Sequence, residues 1–361
     1  MQVGIAVDLG TTTVGVSILE LDQGRELQAF SFANPQYVYG TDVITRIRNC
    51  TENPEMLTRM GELLRSKLFS ELKERTGIPE GGISEIVYSG NTAMLHIFRG
   101  MSVDGLGAHP FRPVSLAYAC QETGSEYGAW SETFLPGFSA FVGADILSGA
   151  WYLGMGASAQ YELLVDLGTN GELLLLNEKG GYAASTACGS VFDHTGSGAA
   201  YGSETIRVIA AARRRRILDT TGRLKPPLDQ SGIGIEKGYV LRQHHIRSFQ
   251  LAKGAIRAGI TCLLDKAGVT AQDVGRVCIS GGLGFYMDPA DAFTVGLLPE
   301  EFRSRLEVTG NTSLYGAKKM ILERNRNMAM RQMDDIISRT ESFELALFPD
   351  FQKIYLESMG L

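Results

Sequence analysis

Two aspartates stand in the same setting 158 residues apart. The first lies in Ile5-Ala6-Val7-Asp8-Leu9-Gly10-Thr11-Thr12-Thr13, followed by the apolar run Val14 to Leu19. The second lies in Leu163-Leu164-Val165-Asp166-Leu167-Gly168-Thr169-Asn170-Gly171, followed by Glu172 and four leucines. An apolar run, a Gly/Thr turn and a second apolar run read as a β-hairpin. Glycine in such a turn lets backbone N–H groups face a phosphate with no side chain in the way, and threonine hydroxyls add donors. An aspartate at the strand end can hold Mg²⁺ through its waters, because Mg²⁺ keeps most of its hydration shell. One Asp-x-Gly-Thr turn also serves as a plain hairpin end. Two of them, from two domains, can clamp a triphosphate from both sides.

Two further glycine segments fit the same chemistry. Ser280-Gly281-Gly282-Leu283-Gly284 follows a strand, and its glycines would let an adenine lie on backbone. Gly310-Asn311-Thr312-Ser313 opens a helix and can form the lip of a nucleotide site. Glycine supplies 43 of 361 residues, about 12% against an average near 7%. That excess suits a backbone that approaches a ligand in several places.

The elements that must carry these residues follow from periodicity. Met56 to Arg75 has leucines and methionines at three-to-four spacing and predicts an amphipathic helix. Ile86 to Asn91 predicts a strand running into a loop, and Asp145 is placed to cap a small-residue helix from Ile146 to Tyr152. Residues 181–202 read as a glycine-, serine- and alanine-rich loop. Helices are expected over 203–218, 250–267 and 312–327, a strand over 276–280, and short closing pieces over 328–338 and 350–359. Strands then helices, twice, give an α/β protein. The expected division is a first domain over 1–158 and a second over 159–361.

Composition excludes other classes. With 44% hydrophobic and 20% charged residues the chain is globular, and no apolar run is long enough for a membrane span. A net charge of −6 argues against nucleic acid as a partner. The start lacks a signal-peptide pattern, so a cytoplasmic location is expected. Five cysteines without a Cys-x-x-Cys pair encode neither a disulfide framework nor a zinc site. Cys188, Cys262 and Cys278 read as small buried residues. His96, His109 and His194 are of a type that can ligate a metal, but they are scattered. Arg213 to Arg216 reads as a solvated helix face rather than a dock for an acidic partner.

The order of these motifs resembles the actin, Hsp70 and sugar-kinase superfamily (ASKHA), two RNase-H-like α/β domains around a nucleotide cleft. More closely, the chain resembles the ATPase part of the reductive activators of corrinoid-dependent enzymes. The matching stretches include Asn34-Pro35-Gln36, Gly40 to Ile47, Gly90 to His96, His109 to Pro113, Val142 to Asp145, Val165 to Glu172, Ala255 to Ile260, Gly296 to Pro299 and Phe351 to Met359. They run over nearly the whole chain. Two departures stand out. Family members carry an N-terminal ferredoxin-like [2Fe–2S] module, whereas here the first strand begins at Val3. The family's run after Thr186-Ala187-Cys188-Gly189 is Phe-Glu-Gly-like, whereas here it is Ser190-Val191-Phe192-Asp193-His194.

The resemblance implies roles residue by residue. Asp8 and Asp166 would hold hydrated Mg²⁺. Gly10, Thr11, Thr12 and Thr13 would cradle phosphates from one side, and Gly168, Thr169, Asn170 and Gly171 from the other. Asp145 would orient the attacking water. Gly281, Gly282 and Gly284 would face adenosine, with Gly310 and Asn311 beside it. ATP and Mg²⁺ are the expected cofactors, and no iron–sulfur cluster is expected in this chain. The expected partners are a corrinoid protein or corrinoid-dependent methyltransferase and a separate ferredoxin-like electron donor; a homodimer is possible. The same residues leave room for a small-molecule kinase with Asp145 as base, for a regulator that binds nucleotide without turnover, and for a dimer sharing a [4Fe–4S] cluster.

Overall fold

Val3, Ile5, Ala6, Val7 and Leu9 are all completely buried, so the strand they form lies in the middle of a sheet with both faces covered. In the computed structural model, which describes residues 2–78, 81–125, 128–192, 202–235, 240–284 and 287–361, that strand is β1 (Val3–Leu9) of fourteen described strands. They continue as β2 (Thr13–Glu20), β3 (Arg25–Ala33), β4 (Ile83–Gly90), β5 (Ala119–Ser125) and β6 (Gly128–Phe134). Next come β7 (Tyr161–Leu167), β8 (Asn170–Asn177), β9 (Gly180–Ala187), β10 (Ile233–Gly234) and β11 (Val240–Leu241). The last are β12 (Val274–Ser280), β13 (Leu306–Gly310) and β14 (Thr340–Ser342). The described α-helices run α1 (Val43–Glu52), α2 (Glu55–Thr76), α3 (Thr92–Phe98), α4 (Asp104–Gly107), α5 (Ala144–Leu153), α6 (Gly202–Arg214) and α7 (Leu228–Ser231). After them come α8 (Gln243–Ala267), α9 (Gly281–Gly284), α10 (Pro289–Thr294), α11 (Thr312–Leu322), α12 (Arg326–Ser338) and α13 (Phe351–Glu357). No helix among the described residues is long and apolar enough to cross a membrane.

The chain divides into two compact units. One comprises residues 1–155 and 312–340, the other 156–311 and 341–361. The sequence reading, two contiguous stretches meeting near residue 158, assigns α11 and α12 to the second half; here both pack in the first unit. The reason is visible in α11, whose small and apolar residues lie against α5, β1 and β4.

In the first unit the sheet order is β3-β2-β1-β4-β6-β5. The first three strands are an antiparallel meander, and β1, β4 and β6 run parallel. The second unit has the order β13-β12-β7-β8-β9-β14. Again three strands form a meander, β7 to β9, and β7, β12 and β13 run parallel. Reversed, β9-β8-β7-β12-β13 repeats β3-β2-β1-β4-β6 strand for strand. One α/β sheet arrangement is thus built twice from one chain.

Each sheet is held by a long helix. Met60, Leu64, Leu68 and Leu72 recur at four-residue steps along α2 and are all buried. Each such side chain contributes about 1.5–3 kcal/mol on burial. In the second unit α8 buries Ile246, Phe249, Ile256, Ile260 and Leu263 in one apolar cluster with Leu173 and Leu175 of the sheet. The segment read from sequence as a 181–202 loop is strand β9 over its first part. Its small residues are what the packing needs, since Ala184 beneath α8 touches Cys262. Residues 193–201, His194 among them, lie outside the described residues. The helix expected over 312–327 ends at Leu322, and Asn325 starts α12 by accepting a hydrogen bond from the Met328 amide at 3.0 Å.

Candidate functional site

Asp8 sits on the last turnward stretch of β1, paired in register with Ser89 on the parallel strand β4. It is half-buried. The Ser313 hydroxyl, from the first turn of α11, donates to Asp8 Oδ1 at 2.7 Å. Ser313 lies 2.9 Å from the Ser89 hydroxyl, and Ser89 lies 2.8 Å from that of Ser148 on α5. All three serines are buried. The turn beside Asp8 is braced from outside. Buried Asn34 donates from Nδ2 to the Gly10 carbonyl at 2.9 Å, and its own amide donates to the Thr12 carbonyl at 2.8 Å. Asn91, the cap of α3, donates from Nδ2 to the Thr11 hydroxyl at 3.1 Å. Thr13 begins β2 and pairs with Ala33.

Behind this loop lies Arg46, fully buried. Its Nε donates to the Gly40 carbonyl and its guanidinium to Gln36 Oε1, at 2.9 and 3.2 Å. Gln36 in turn donates to the Met60 carbonyl. Burial pulls the Arg46 guanidinium down to about 10, against the pull of the Asp42 carboxylate. Desolvation thus outweighs the nearby charge here, and Arg46 acts as a structural clamp on residues 34–40.

Asp145 does not cap α5. Gly143 occupies the cap position, and Asp145 stands in the first turn, where Oδ1 accepts from the Ile146 amide at 2.9 Å. The helix starts earlier than its apolar residues suggest because Ala144 already has helical geometry. The Asp145 carbonyl accepts from Ser148, three residues on, so Asp145 lies one turn from the serine that touches Ser89.

The second unit repeats the arrangement. Asp166 ends β7 in register with Ser280 on the parallel strand β12, and the Ser280 hydroxyl donates to Asp166 Oδ2. In both units a glycine follows the serine. Gly90 and Gly281 both have positive φ, +146° and +88°. A Cβ on Gly90 would stand 2.6 Å from the Leu9 carbonyl oxygen. On Gly281 it would stand 2.6 Å from both the Leu167 carbonyl oxygen and Asp166 Oδ1. The pairs Asp8/Ser89-Gly90 and Asp166/Ser280-Gly281 are therefore one strand-end design made twice.

The other sequence-derived positions fall around it. Gly168 donates its N–H to the Asn170 carbonyl at 3.0 Å within the turn, and Asn170 pairs with Ala187. Thr169 lies between them. Gly171 pairs with Leu167 and faces Ile256 and Cys188. Gly281, Gly282 and Gly284 belong to the short helix α9 rather than to an open loop. Gly310 ends β13 opposite Ser280, and Asn311 leads into α11. The first unit thus gathers Asp8, the 10–13 turn and Asp145 at one end of its sheet. The second gathers Asp166, the 168–171 turn, Gly281 and Gly310 at the matching end of its own.

Sequence reasoning passed over Ser89, Ser280, Asn34 and Arg46 as site-building residues. The signal was present: a Ser-Gly pair closes an apolar strand at 89–90 and again at 280–281. The histidines and cysteines behave as core or surface. His96 is buried, bonds the Thr92 carbonyl and is held below its usual range by burial. His109 is exposed. Burial pushes the Cys262 and Cys278 thiols up to about 12. Cys188 is buried, and Cys120 is exposed. Arg214 pairs with Asp291 at 2.7 Å, so it is more than a solvated charge.

Comparison with known proteins matches this duplicated frame. A family profile described as the RACo middle region covers residues 3–158, and a second, described as the C-terminal domain of RACo, the ASKHA domain, covers 196–361. The chain belongs to the RACo family. Among its relatives, the corrinoid activation enzyme RamQ of Eubacterium limosum is 27% identical over 420 residues, spanning 98% of this chain and 69% of RamQ. A Co(II) methylated amine-specific corrinoid protein reductase of Methanosarcina barkeri is 30% identical over 112 residues, which is 31% of this chain and 19% of that protein. The solved structure of a reductive activator for a corrinoid, iron–sulfur protein superposes with a TM-score of 0.89 at 26% identity. It covers all of this chain and 66% of that one. This member of the RACo family therefore spans about two thirds of the length of the relatives it matches end to end.

Proposed function

We propose that this chain is the nucleotide-driven part of a reductive activator of corrinoid proteins: it binds Mg–ATP, hydrolyses it, and uses the cycle to favour reduction of a partner's Co(II) corrinoid. The observation that carries the reading is the repeated strand end, an aspartate set in parallel register beside a serine that a positive-φ glycine follows, once in each unit. The direction of the chemistry is that of RamQ, a corrinoid activation enzyme, and of the matched reductive activator structure.

The residues present fit magnesium and a triphosphate. Asp8 and Asp166 offer carboxylate oxygens, and the neighbouring donors are serine and threonine hydroxyls and turn amides, a hard set suited to Mg²⁺ that keeps its waters. When bound, Mg²⁺ would neutralise the charge that develops on the phosphate. The chain's own part is positioning. The 10–13 and 168–171 turns present backbone to phosphate. Asp145 orients the attacking water, and Gly281, Gly282 and Gly284 with Gly310 and Asn311 lie against adenosine.

Reduction of Co(II) to Co(I) is uphill, and a conformational cycle can offset it. A differential affinity of about 5.5 kcal/mol inverts a 1:99 equilibrium, which for one electron corresponds to roughly 240 mV. The electron comes from a ferredoxin-like carrier. The test is phosphate release by the purified chain with and without a Co(II) corrinoid protein. Stimulation by the partner supports the reading; no Mg–ATP binding in calorimetry ends it, and transfer of the γ-phosphate to a metabolite would make the chain a kinase.

A further inference from the structure

The bond from Ser313 to Asp8 joins two parts of the chain that the sequence keeps 305 residues apart. Ser313 is the second residue of α11, the helix that starts where the chain leaves one unit, at Asn311, and re-enters the other, at Thr312. A carboxylate only accepts, and a serine hydroxyl has one proton. With Asp8 ionised, the Ser313 proton goes to Asp8 Oδ1. The Ser313 hydroxyl also touches that of Ser89 at 2.9 Å, and Ser89 lies 2.8 Å from that of Ser148. The remaining contacts of Ser148, to the carbonyls of Asp145 and Ser313, are longer, at 3.2 and 3.4 Å. Three buried hydroxyls thus form one connected row that ends on the Asp8 carboxylate. The row draws one serine from a strand and one from each of two helices, so the orientation of the carboxylate depends on where α5 and α11 stand against β4.

A helical serine can satisfy itself on a carbonyl of its own helix, as exposed Ser338 does on that of Asp335. Ser313 instead reaches across to a strand-end carboxylate. We infer that Ser313 is a positioning residue for Asp8: through it the first turn of α11 sets the geometry in which Asp8 meets hydrated Mg²⁺, so metal affinity follows the position of α11. This rests on the nucleotide reading above. The chemistry sensed is a divalent cation on a nucleotide, and Ser313 itself touches neither.

The experiment is calorimetric titration of ADP into the full chain, once with excess Mg²⁺ and once with EDTA. In Ser313→Ala the dissociation constant with Mg²⁺ rises about tenfold, the usual worth of a hydrogen bond to a charged group, while the constant in EDTA stays within about twofold. Ser313→Thr keeps the hydroxyl and restores the Mg²⁺ dependence. Ser89→Ala, which removes the other hydroxyl that Ser313 touches while leaving the Ser313–Asp8 bond in place, gives a smaller loss with the same Mg²⁺ selectivity, and it decides the matter should Ser313→Ala fail to fold. Equal losses with and without Mg²⁺, or no loss, overturn the inference. If the unaltered chain binds ADP in neither buffer, the nucleotide reading falls and the inference with it; if it binds with Mg²⁺ dependence and Ser313→Ala matches it, only the inference falls.

Discussion

Gly281→Ala is the substitution whose consequence can be worked most fully from geometry. Gly281 holds φ at +88°, where an L side chain costs on the order of 1–2 kcal/mol. The added Cβ would stand 2.6 Å from the Leu167 carbonyl oxygen and from Asp166 Oδ1. Carbon and oxygen settle at about 3.4 Å or more, so one of them must retreat by roughly 0.8 Å. The carbonyl is fixed in the β7 ladder, which leaves the carboxylate to move and to strain its bond from Ser280. A loss of about 2 kcal/mol or more is expected in the second unit, seen as a fall of roughly 4–8 °C in its melting transition. A displacement of that size at a positioning group also weakens Mg–nucleotide binding by on the order of tenfold to a hundredfold. Gly90→Ala is the matched comparison, because its Cβ meets Leu9 but not Asp8. It should cost similar stability and less affinity. Differential scanning calorimetry and nucleotide titration read both quantities. Gly281→Ala with unchanged melting and unchanged affinity would refute the strand-end design.

Three further expectations follow from buried charges. Arg46→Ala strips the Gly40 carbonyl and Gln36 of their partner and leaves a large void, so the first unit should lose about 3 kcal/mol in urea unfolding. Lys253, buried and bonded to the carbonyls of Gly296 and Gly360, is pulled down to about 8, by burial first and then by Arg257. Between that value and the usual lysine range near 10.5 the unfolded chain holds more protons, so this residue's penalty is full below about 8 and fades as pH rises. Relative to Lys253→Met, the unaltered chain should gain about 2 kcal/mol from pH 7.5 to 10, and a flat difference would refute it. Glu132 is fully buried and takes hydrogen bonds from Arg65, Tyr88, Gln121 and Thr123. Glu132→Leu should therefore cost several kcal/mol by leaving Arg65 unpaired, with little change in nucleotide affinity.

Much of the frame was legible in the sequence because its signals are local. The paired hairpins at Asp8 and Asp166, the α2 leucine row and the β12 strand each announce themselves within a dozen residues. What was hidden depends on contacts between distant segments. Nothing near Ser313 says that its hydroxyl reaches Asp8. The return of residues 312–340 to the first unit follows from α11 fitting against α5 and β1, a matter of packing rather than of composition. Strand β9 was read as a loop since Gly, Ala and Ser have low strand propensity; tertiary packing under α8 overrides that preference. Asp145 was taken for a cap because its side chain suits one, while the helix begins a residue before it at Ala144. The strand-end serines were missed for a related reason: Ser-Gly pairs are common, and only the parallel register of β1 with β4 and of β7 with β12 sets them beside the two aspartates.

The central claim is that the strand-end aspartates, Asp8 and Asp166, serve Mg–nucleotide binding, and a titration of their variants tests it most directly. Mg–ADP binding is measured by calorimetry for the unaltered chain, Asp8→Ala and Asp166→Ala. The account predicts that each change weakens binding in the presence of Mg²⁺. Full affinity in either variant would contradict it.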